Sequence, residues 1–274
     1  MIVLSLGAGV QSTVMALMSA HGELPRVNCA IFADTKWEPE GVYEHLDWLE
    51  SIISNPLLVE QSFPIYRVVG GDIRDDVINN RPLRGRDNPN AFSSVPFFTD
   101  GKGFGRRQCT NDYKIRPVRK KIRELLGVGY GERVPKGTTV TQWLGISTDE
   151  ASRMKPAQEA WLINTWPLIE ANMSRQKCIQ WFESHYPDKT LTKSACIGCP
   201  LHNDAMWRDM KLNDAKSWED AVAVDRLIRD GGRNGAQQYM HNSLKPLDEI
   251  DFRNLEDKGQ LNMFENECEG MCGV

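Results

Sequence analysis

Three groups of residues have types and spacings suited to chemistry. The first is Gly7-Ala8-Gly9-Val10-Gln11-Ser12-Thr13, which follows the apolar run Ile2 to Leu4 and leads into a helix-like pattern at Val14, Leu17 and Met18. Glycines let backbone N–H groups approach an anion, and the open N–H groups of a helix's first turn point at it. With the hydroxyls of Ser5, Ser12 and Thr13 the stretch reads as a phosphate cradle, and an ordinary strand-to-helix turn is the plainer alternative. It is neither a Gly-Lys-Ser/Thr loop nor a GxGxxG fingerprint. The second group is Cys196-Ile-Gly-Cys199-Pro200. Thiolates at this spacing reach one metal centre, the glycine lets the loop wrap it, and proline is frequent after iron–sulfur ligands. A structural zinc site with His202 as an extra ligand is the alternative. The third is the basic stretch from Arg106 to Arg123, in which only Asp112 carries the opposite sign. Arg106, Arg107, Lys114 and Arg116 suit substrate phosphates. Lys120, Lys121 and Arg123 follow Pro117 in a helical pattern and read as a solvated face.

Acids stand where strands end. The run Val27 to Ala33 closes on Asp34-Thr35, and the β-branched run Thr138 to Ile146 leads to Ser147-Thr-Asp149-Glu150-Ala-Ser-Arg153. Open α/β sheets bind ligands at the carboxyl ends of their strands. A carboxylate there can hold Mg²⁺ beside a triphosphate, and Arg153 can offset phosphate charge. The plainer readings are a helix cap for Asp34 and a surface i,i+3 pair for Glu150 and Arg153.

The elements that must position these groups follow from periodicity. Residues 39–53 place Val42, Leu46, Leu49 and Ile53 on one helical face. Residues 65–69 read as a strand, 73–78 as a helix, 174–185 as a helix and 203–230 as two helices. Residues 80–105 are rich in Pro, Gly, Asn and Ser and read as a flap or a substrate-facing insertion. Phe92, Phe97, Phe98 and Phe104 give that insertion something to pack. The expected fold is α/β, a parallel twisted sheet flanked by helices. Residues 1–170 form the nucleotide-binding part, and 171–274 a helical extension with the cysteine pair and a cysteine-bearing tail.

Composition bounds the rest. The chain has 274 residues and a net charge of −4, so bulk charge selects no partner. No apolar run approaches a membrane span, and the N-terminus reads as a first strand rather than a signal peptide, so a cytoplasmic protein is expected. Seven cysteines are too sparse for a disulfide scaffold. Cys29 and Cys178 fall in apolar patterns and read as buried thiols.

Several of these segments resemble known families. Gly7-Ala8-Gly9-Val10-Gln11-Ser12 resembles the Ser-Gly-Gly-x-Asp-Ser PP-loop of the ATP pyrophosphatases, with Gln11 in place of the acid. There the loop holds the β- and γ-phosphates while ATP is cut between α and β. The segment from Phe32 through Asp34-Thr35 to Tyr43 is similar to the Asp-Thr-Gly…Pro-Glu-Thr-Tyr segment of the phosphoadenylyl-sulfate (PAPS) reductases, which lies near the adenosine. Gly145-Ile146 through Asp149-Glu150 to Arg153 resembles their Gly-Ile-Arg-Ala-Asp-Glu-Ser-x-x-Arg, and Trp166-Pro167-Leu168 their Tyr-Pro-Leu strand. Cys109 and the residues after it are similar to Cys-Cys-x-x-Arg-Lys-Val-x-Pro-Leu of the iron–sulfur adenylyl-sulfate (APS) reductases, with Thr110 replacing the second cysteine. The tail from Glu267-Cys268 to Cys272 is loosely similar to their terminal Glu-Cys-Gly-Leu-His.

The resemblance implies the adenine nucleotide alpha hydrolase fold. It implies nucleotide contacts at Ser5, Gly7, Ala8, Gly9, Gln11, Ser12, Thr13, Asp34, Thr35, Gly145, Asp149, Glu150 and Arg153. Cys109, Cys196 and Cys199 would ligate a four-iron, four-sulfur cluster, or alternatively Zn²⁺. Cys268 is a candidate fourth ligand, and Cys268 and Cys272 are candidate catalytic thiols. The implied activity uses ATP and Mg²⁺ to adenylate a substrate oxygen, so that a persulfide or cluster-bound sulfide displaces AMP. A cysteine desulfurase would give the sulfur. The acceptor would be DNA, as for the related proteins of DNA phosphorothioation systems, or a tRNA base. A homodimer is one expected assembly. The alternatives are an APS or PAPS reductase using a C-terminal thiolate, and a non-catalytic nucleotide or nucleic-acid binding module with a structural zinc.

Overall fold

The computed structural model describes residues 1–79, 95–100, 103–232 and 235–253. The chain opens with β1 (Ile2–Leu6), α1 (Val10–Ala20), β2 (Cys29–Asp34), α2 (Glu40–Ile53), β3 (Ile65–Val69) and α3 (Ile73–Ile78). Two short strands follow, β4 (Phe98–Thr99) and β5 (Gly103–Phe104), then a π-helical turn at Thr110–Ile115 that runs straight into α4 (Arg116–Leu125). Next come β6 (Val140–Leu144), a 3₁₀ turn at Thr148–Arg153, β7 (Leu162–Thr165), α5 (Pro167–Glu170) and α6 (Arg175–His185). Helices α7 (Asp204–Asn213) and α8 (Ala215–Leu227) precede β8 (Gln238–Tyr239).

Five strands form one parallel sheet in the order β3-β2-β1-β6-β7. Every residue of β2 is buried, the mark of a strand covered on both faces, and this is why its sequence does not alternate. The chain leaves β1 toward β2 and β3, then returns to build β6 and β7 on the other side. The strand order therefore reverses beside β1, which opens a crevice at the carboxyl ends of β1 and β6.

Helices α1, α2 and α6 pack on one face of the sheet in a core holding Leu17, Leu46, Leu49 and Phe182. α1 buries every residue except Gln11, so it lacks a polar stripe, as a helix covered all round must. Its Ser19 hydroxyl is satisfied locally, donating to the Pro25 carbonyl at 2.9 Å and accepting from the Val27 N–H at 3.2 Å. α4 covers the opposite face, with Val118 and Ile122 against Cys29 and Ile31. A further core joins Trp37, Ile73 and Tyr113 to Trp207, Ala221 and Val224 of α7 and α8.

One expectation changes in detail. Pro167 starts helix α5 rather than lying in a strand, because its fixed φ and missing N–H suit a first helical position. The strand lies just upstream as the sheet edge β7. Packing also crosses residue 170, since Cys178 and Phe182 of α6 belong to the same core as α1. In the 80–105 insertion, residues 80–94 and 101–102, with Phe92, lie outside the described residues. The remainder joins β8 in a small antiparallel sheet, where Phe98 and Phe104 pair at 4.7 Å and Phe97 is buried. The tail with Cys268 and Cys272 also lies outside the described residues. Among the described residues no helix is long and apolar enough to cross a membrane.

Candidate functional site

The glycine stretch forms the turn between β1 and α1. Ser5 is the fourth residue of β1 rather than part of the turn. Ala8 takes a left-handed φ of 55°, a conformation that costs a residue with a Cβ roughly 1–2 kcal/mol. Gly9 caps α1 with its backbone alone. Ser12 closes the loop: its Oγ accepts from the Gly7 N–H at 3.1 Å and donates to the Gly9 carbonyl at 3.3 Å. Thr13 points the other way. It is fully buried, and its hydroxyl pairs with His45 Nε2 at 3.0 Å. Burial pushes the His45 imidazole down to about 4, so at neutral pH it is an uncharged partner beneath the loop. Thr13 therefore braces the cradle from behind.

The carboxyl end of β6 meets the cradle from the neighbouring strand. Gly145 is required there, since a Cβ would stand 2.9 Å from the Ser12 nitrogen and 3.2 Å from its Cα. Gln11 reaches across the crevice, its amide donating to Glu150 Oε2 at 3.0 Å and to Ser147 Oγ at 3.4 Å. The other Glu150 oxygen is paired with Arg153. Asp149 accepts from the Arg175 N–H at 3.0 Å. Its burial would raise the carboxyl, but hydrogen bonds from Ser147 and the Arg175 backbone outweigh it and hold it below the usual range. Position 11 thus holds an amide, and that amide secures a carboxylate from the turn after β6.

On the other side, Asp34 ends β2 and is buried. Its Oδ1 accepts from the Lys36 N–H at 2.7 Å and the Tyr43 hydroxyl at 2.9 Å, and Lys36 Nζ lies 2.8 Å from Oδ2. Burial raises this carboxyl, and the Lys36 and Tyr43 hydrogen bonds more than reverse the effect. Lys36 has a φ of 63°, so the turn is bent sharply around the acid. Asp34 organises its own turn and offers Thr35 to the interior.

Beyond Thr35 lies a cavity, open to solvent, whose wall includes Cys109, Cys196, Cys199, Arg107, Lys114 and Trp37. The two cysteine segments, far apart in sequence, share this wall. Cys196 Sγ lies 3.3 Å from Thr35 Oγ1 and 3.4 Å from Glu38 Oε1. Glu38 is buried, takes a hydrogen bond from Thr35 at 3.0 Å and has Lys114 Nζ at 3.7 Å. Three thiols on one wall are a donor set that suits an iron–sulfur cluster or zinc. Among the described residues, however, no three His, Cys, Asp or Glu side chains stand close enough together to hold a metal ion. The thiols are convergent but not drawn in to ligating distance. His202 is buried beside the cavity wall, edge-on to Trp207 at 4.6 Å, and burial pushes its imidazole down to about 4.

Cradle and cavity are neighbours. The Ser194 Cβ lies 3.7 Å from where a Gly9 Cβ would stand, and Thr192 Oγ1 donates to the Ala8 carbonyl at 3.2 Å. The segment entering the cysteine pair therefore rests on the glycine loop between β1 and α1. Of the basic residues, Arg107 and Lys114 face the cavity, Arg106 is exposed, and Arg116 stands 3.8 Å from Asp112. Sequence reasoning missed Glu38, Trp37 and His45. The acidic character of the turn after β2 hinted at Glu38, but nothing in the spacing ties any of the three to its partner. Compared with known proteins, the chain matches no family model and no curated protein.

Proposed function

We propose that the chain is an ATP pyrophosphatase that adenylates a substrate oxygen for sulfur insertion, with nucleic acid as the acceptor. One observation carries the reading. Gly7 to Ser12, Asp34-Thr35 and Gly145 to Arg153 follow three adjacent parallel strands and meet at the crevice where the strand order reverses. That crevice is where open α/β sheets bind nucleotides.

The chemistry asked of these residues is mostly electrostatic. An acceptor oxygen attacks the α-phosphorus, the bond to the β-phosphate breaks, and pyrophosphate leaves with the negative charge. The backbone of Gly7 to Gly9 and the first turn of α1 meet that charge with N–H groups already in place. Ser12, anchored between Gly7 and Gly9, keeps the loop in shape. Asp149 and Glu150 are the carboxylates that would hold Mg²⁺, which neutralises charge on the departing phosphates. A poor leaving group, oxide, has then become a good one, AMP. The outer sulfur of a persulfide supplied by a cysteine desulfurase attacks the acceptor as AMP leaves, and a second thiol then cleaves the S–S bond, departing as a disulfide with the carrier and leaving the sulfur on the acceptor. Arg106, Arg107, Lys114 and Arg116 meet acceptor phosphates, and the hydrogen bond from Thr192 to the Ala8 carbonyl, which sets the segment entering the cysteine pair beside the cradle, supports one substrate spanning both sites. An iron–sulfur cluster held by Cys109, Cys196 and Cys199 would supply a soft centre for sulfide in that cavity.

Incubation with ATP labelled on the α- and γ-phosphates, Mg²⁺ and an acceptor tests the proposal. AMP and pyrophosphate in equal amounts are expected. ADP with phosphate, or sulfite from PAPS without ATP cleavage, would overturn it.

A further inference from the structure

Trp37 is 2 % exposed and grips the loop from Cys196 to Cys199 at two points. Its carbonyl accepts the Ile197 N–H at 2.8 Å. Its ring lies against Gly198 so closely that a Cβ there would meet ring carbons at 2.0, 2.5 and 2.6 Å. Contact of this kind fixes the loop only if the ring is itself fixed. The indole N–H provides the anchor, donating to Asp220 Oδ2 at 2.7 Å. Asp220 is held in turn by Arg74, whose Nε lies 2.9 and 3.0 Å from the two carboxylate oxygens and whose Nη2 lies 2.5 Å from Oδ1.

The three residues come from three elements, the turn after β2, α3 and α8. We propose that Asp220 is a positioning residue for the cysteine cavity, holding Cys196 and Cys199 in its wall by fixing the indole of Trp37. Burial would raise the Asp220 carboxyl, but the bonds from Arg74 and Trp37 outweigh it and keep it below the ordinary range. The indole therefore meets a charged acceptor, the stronger kind. With the acceptor removed, a buried N–H is left unpaired, and the ring escapes that cost by turning. Turning lifts the ring off Gly198 and frees the loop that carries both thiols. Helix α8 thus controls a site through an aromatic intermediary. The inference concerns the thiol wall itself and stands apart from the ATP chemistry.

A bare structural staple between α8 and the body would move global stability and leave the thiols as they are. Timed iodoacetamide alkylation of the chelator-treated full chain, read cysteine by cysteine by mass spectrometry, separates the two. The buried Cys29 and Cys178, whose thiols burial pushes up to about 11 and about 12, serve as internal references. Asp220→Ala is expected to raise alkylation of Cys196 and Cys199 about tenfold, the shift in local opening that follows loss of a charged hydrogen bond. Trp37→Phe removes the donor together with the indole carbons that lie against Gly198, leaves the Arg74–Asp220 pair in place, and is expected to match it. Asp220→Asn keeps a carbonyl for the indole and is expected to stay within about twofold of the native rate. Native rates in Asp220→Ala and Trp37→Phe overturn the proposal, and so does a rise shared equally by Cys29 and Cys178. If Asp220→Ala does not fold, Trp37→Phe decides alone. ATP cleavage followed in the same samples reports on the cradle separately.

Discussion

The glycine turn after β1, the cradle, and the cysteine cavity lie side by side, with the Thr192 hydroxyl donating to the Ala8 carbonyl, yet they are built on opposite principles. The cradle is contiguous chain: Ser12 closes it by bonding Gly7 and Gly9, five and three residues away. The cavity is assembled from the turn after β2, the start of α3, the π-helical turn and the cysteine loop. Its anchors span 183 residues from Trp37 to Asp220 and 146 from Arg74 to Asp220. A local site depends on its own few residues. A tertiary site depends on every element that holds it, so changes far from the thiols reach it. Two of the buried histidines follow the same division. His45 under the cradle has Thr13 as a partner, whereas His202 beside the cavity has no hydrogen-bond partner for either ring nitrogen among the described residues.

The sharpest way to break this contrast is Ser12→Ala. ATP cleavage should fall on the order of a hundredfold, the scale of losing one group that shapes an anion hole, with Cys196 alkylation unchanged. If both readouts move together, the two sites are not separable. Glycine substitutions come next. Gly145→Ala drives a Cβ into the backbone of Ser12, and Gly198→Ala drives one into the Trp37 ring. Each should cost about 1–3 kcal/mol in urea unfolding, as overpacking does. Nucleotide affinity should suffer in the first and thiol reactivity in the second.

Acid probes the histidines. Burial holds His45 at about 4 against an ordinary 6.5. As pH falls below 6.5 the unfolded chain takes a proton that the folded chain refuses until about pH 4. Stability is therefore whole above that window, is lost across it, and levels off below it, by about 3 kcal/mol for one such group. His45→Gln should flatten the slope in a plot of melting temperature against pH. A slope unchanged in that variant would place the acid sensitivity elsewhere. Gln11→Asp sets a second carboxylate against Glu150 and should cost up to about 1 kcal/mol unless Mg²⁺ is present. Affinity for Mg·ATP that rose on this change would show that the amide, not the acid, is the compromised residue. Lys120→Ala, on an exposed position of α4, should change stability by less than about 0.5 kcal/mol.

The same contrast explains what could be read from the residues alone. Strands β1, β2 and β6 are visible as apolar runs because a sheet covered on both faces needs them. The cradle is visible because its parts are adjacent. The edge strand β7 buries fully only Leu162 of its four residues, so its pattern is weak and the neighbouring Trp-Pro-Leu drew the assignment downstream. The strands of the small antiparallel sheet are two residues each, too short for any period to show. The π-helical turn at Thr110–Ile115 leaves no periodic trace either. Cysteine identity marks Cys109 and the later pair as candidates, but their meeting on one wall depends on Trp37, Gly198 and Asp220. Nothing in the order of residues links a tryptophan at position 37 to an aspartate on α8.

The core that joins Trp37, Ile73 and Tyr113 to α7 and α8 also governs how the molecule is made. During synthesis the first half of the chain can emerge and pair its strands, but the apolar patch around Trp37 stays uncovered until residues past 200 leave the ribosome. Unfinished chains carry that patch bare to water, a surface for chaperones or for mispairing between nascent copies. The cysteine wall therefore takes its full support only once α8 has been made.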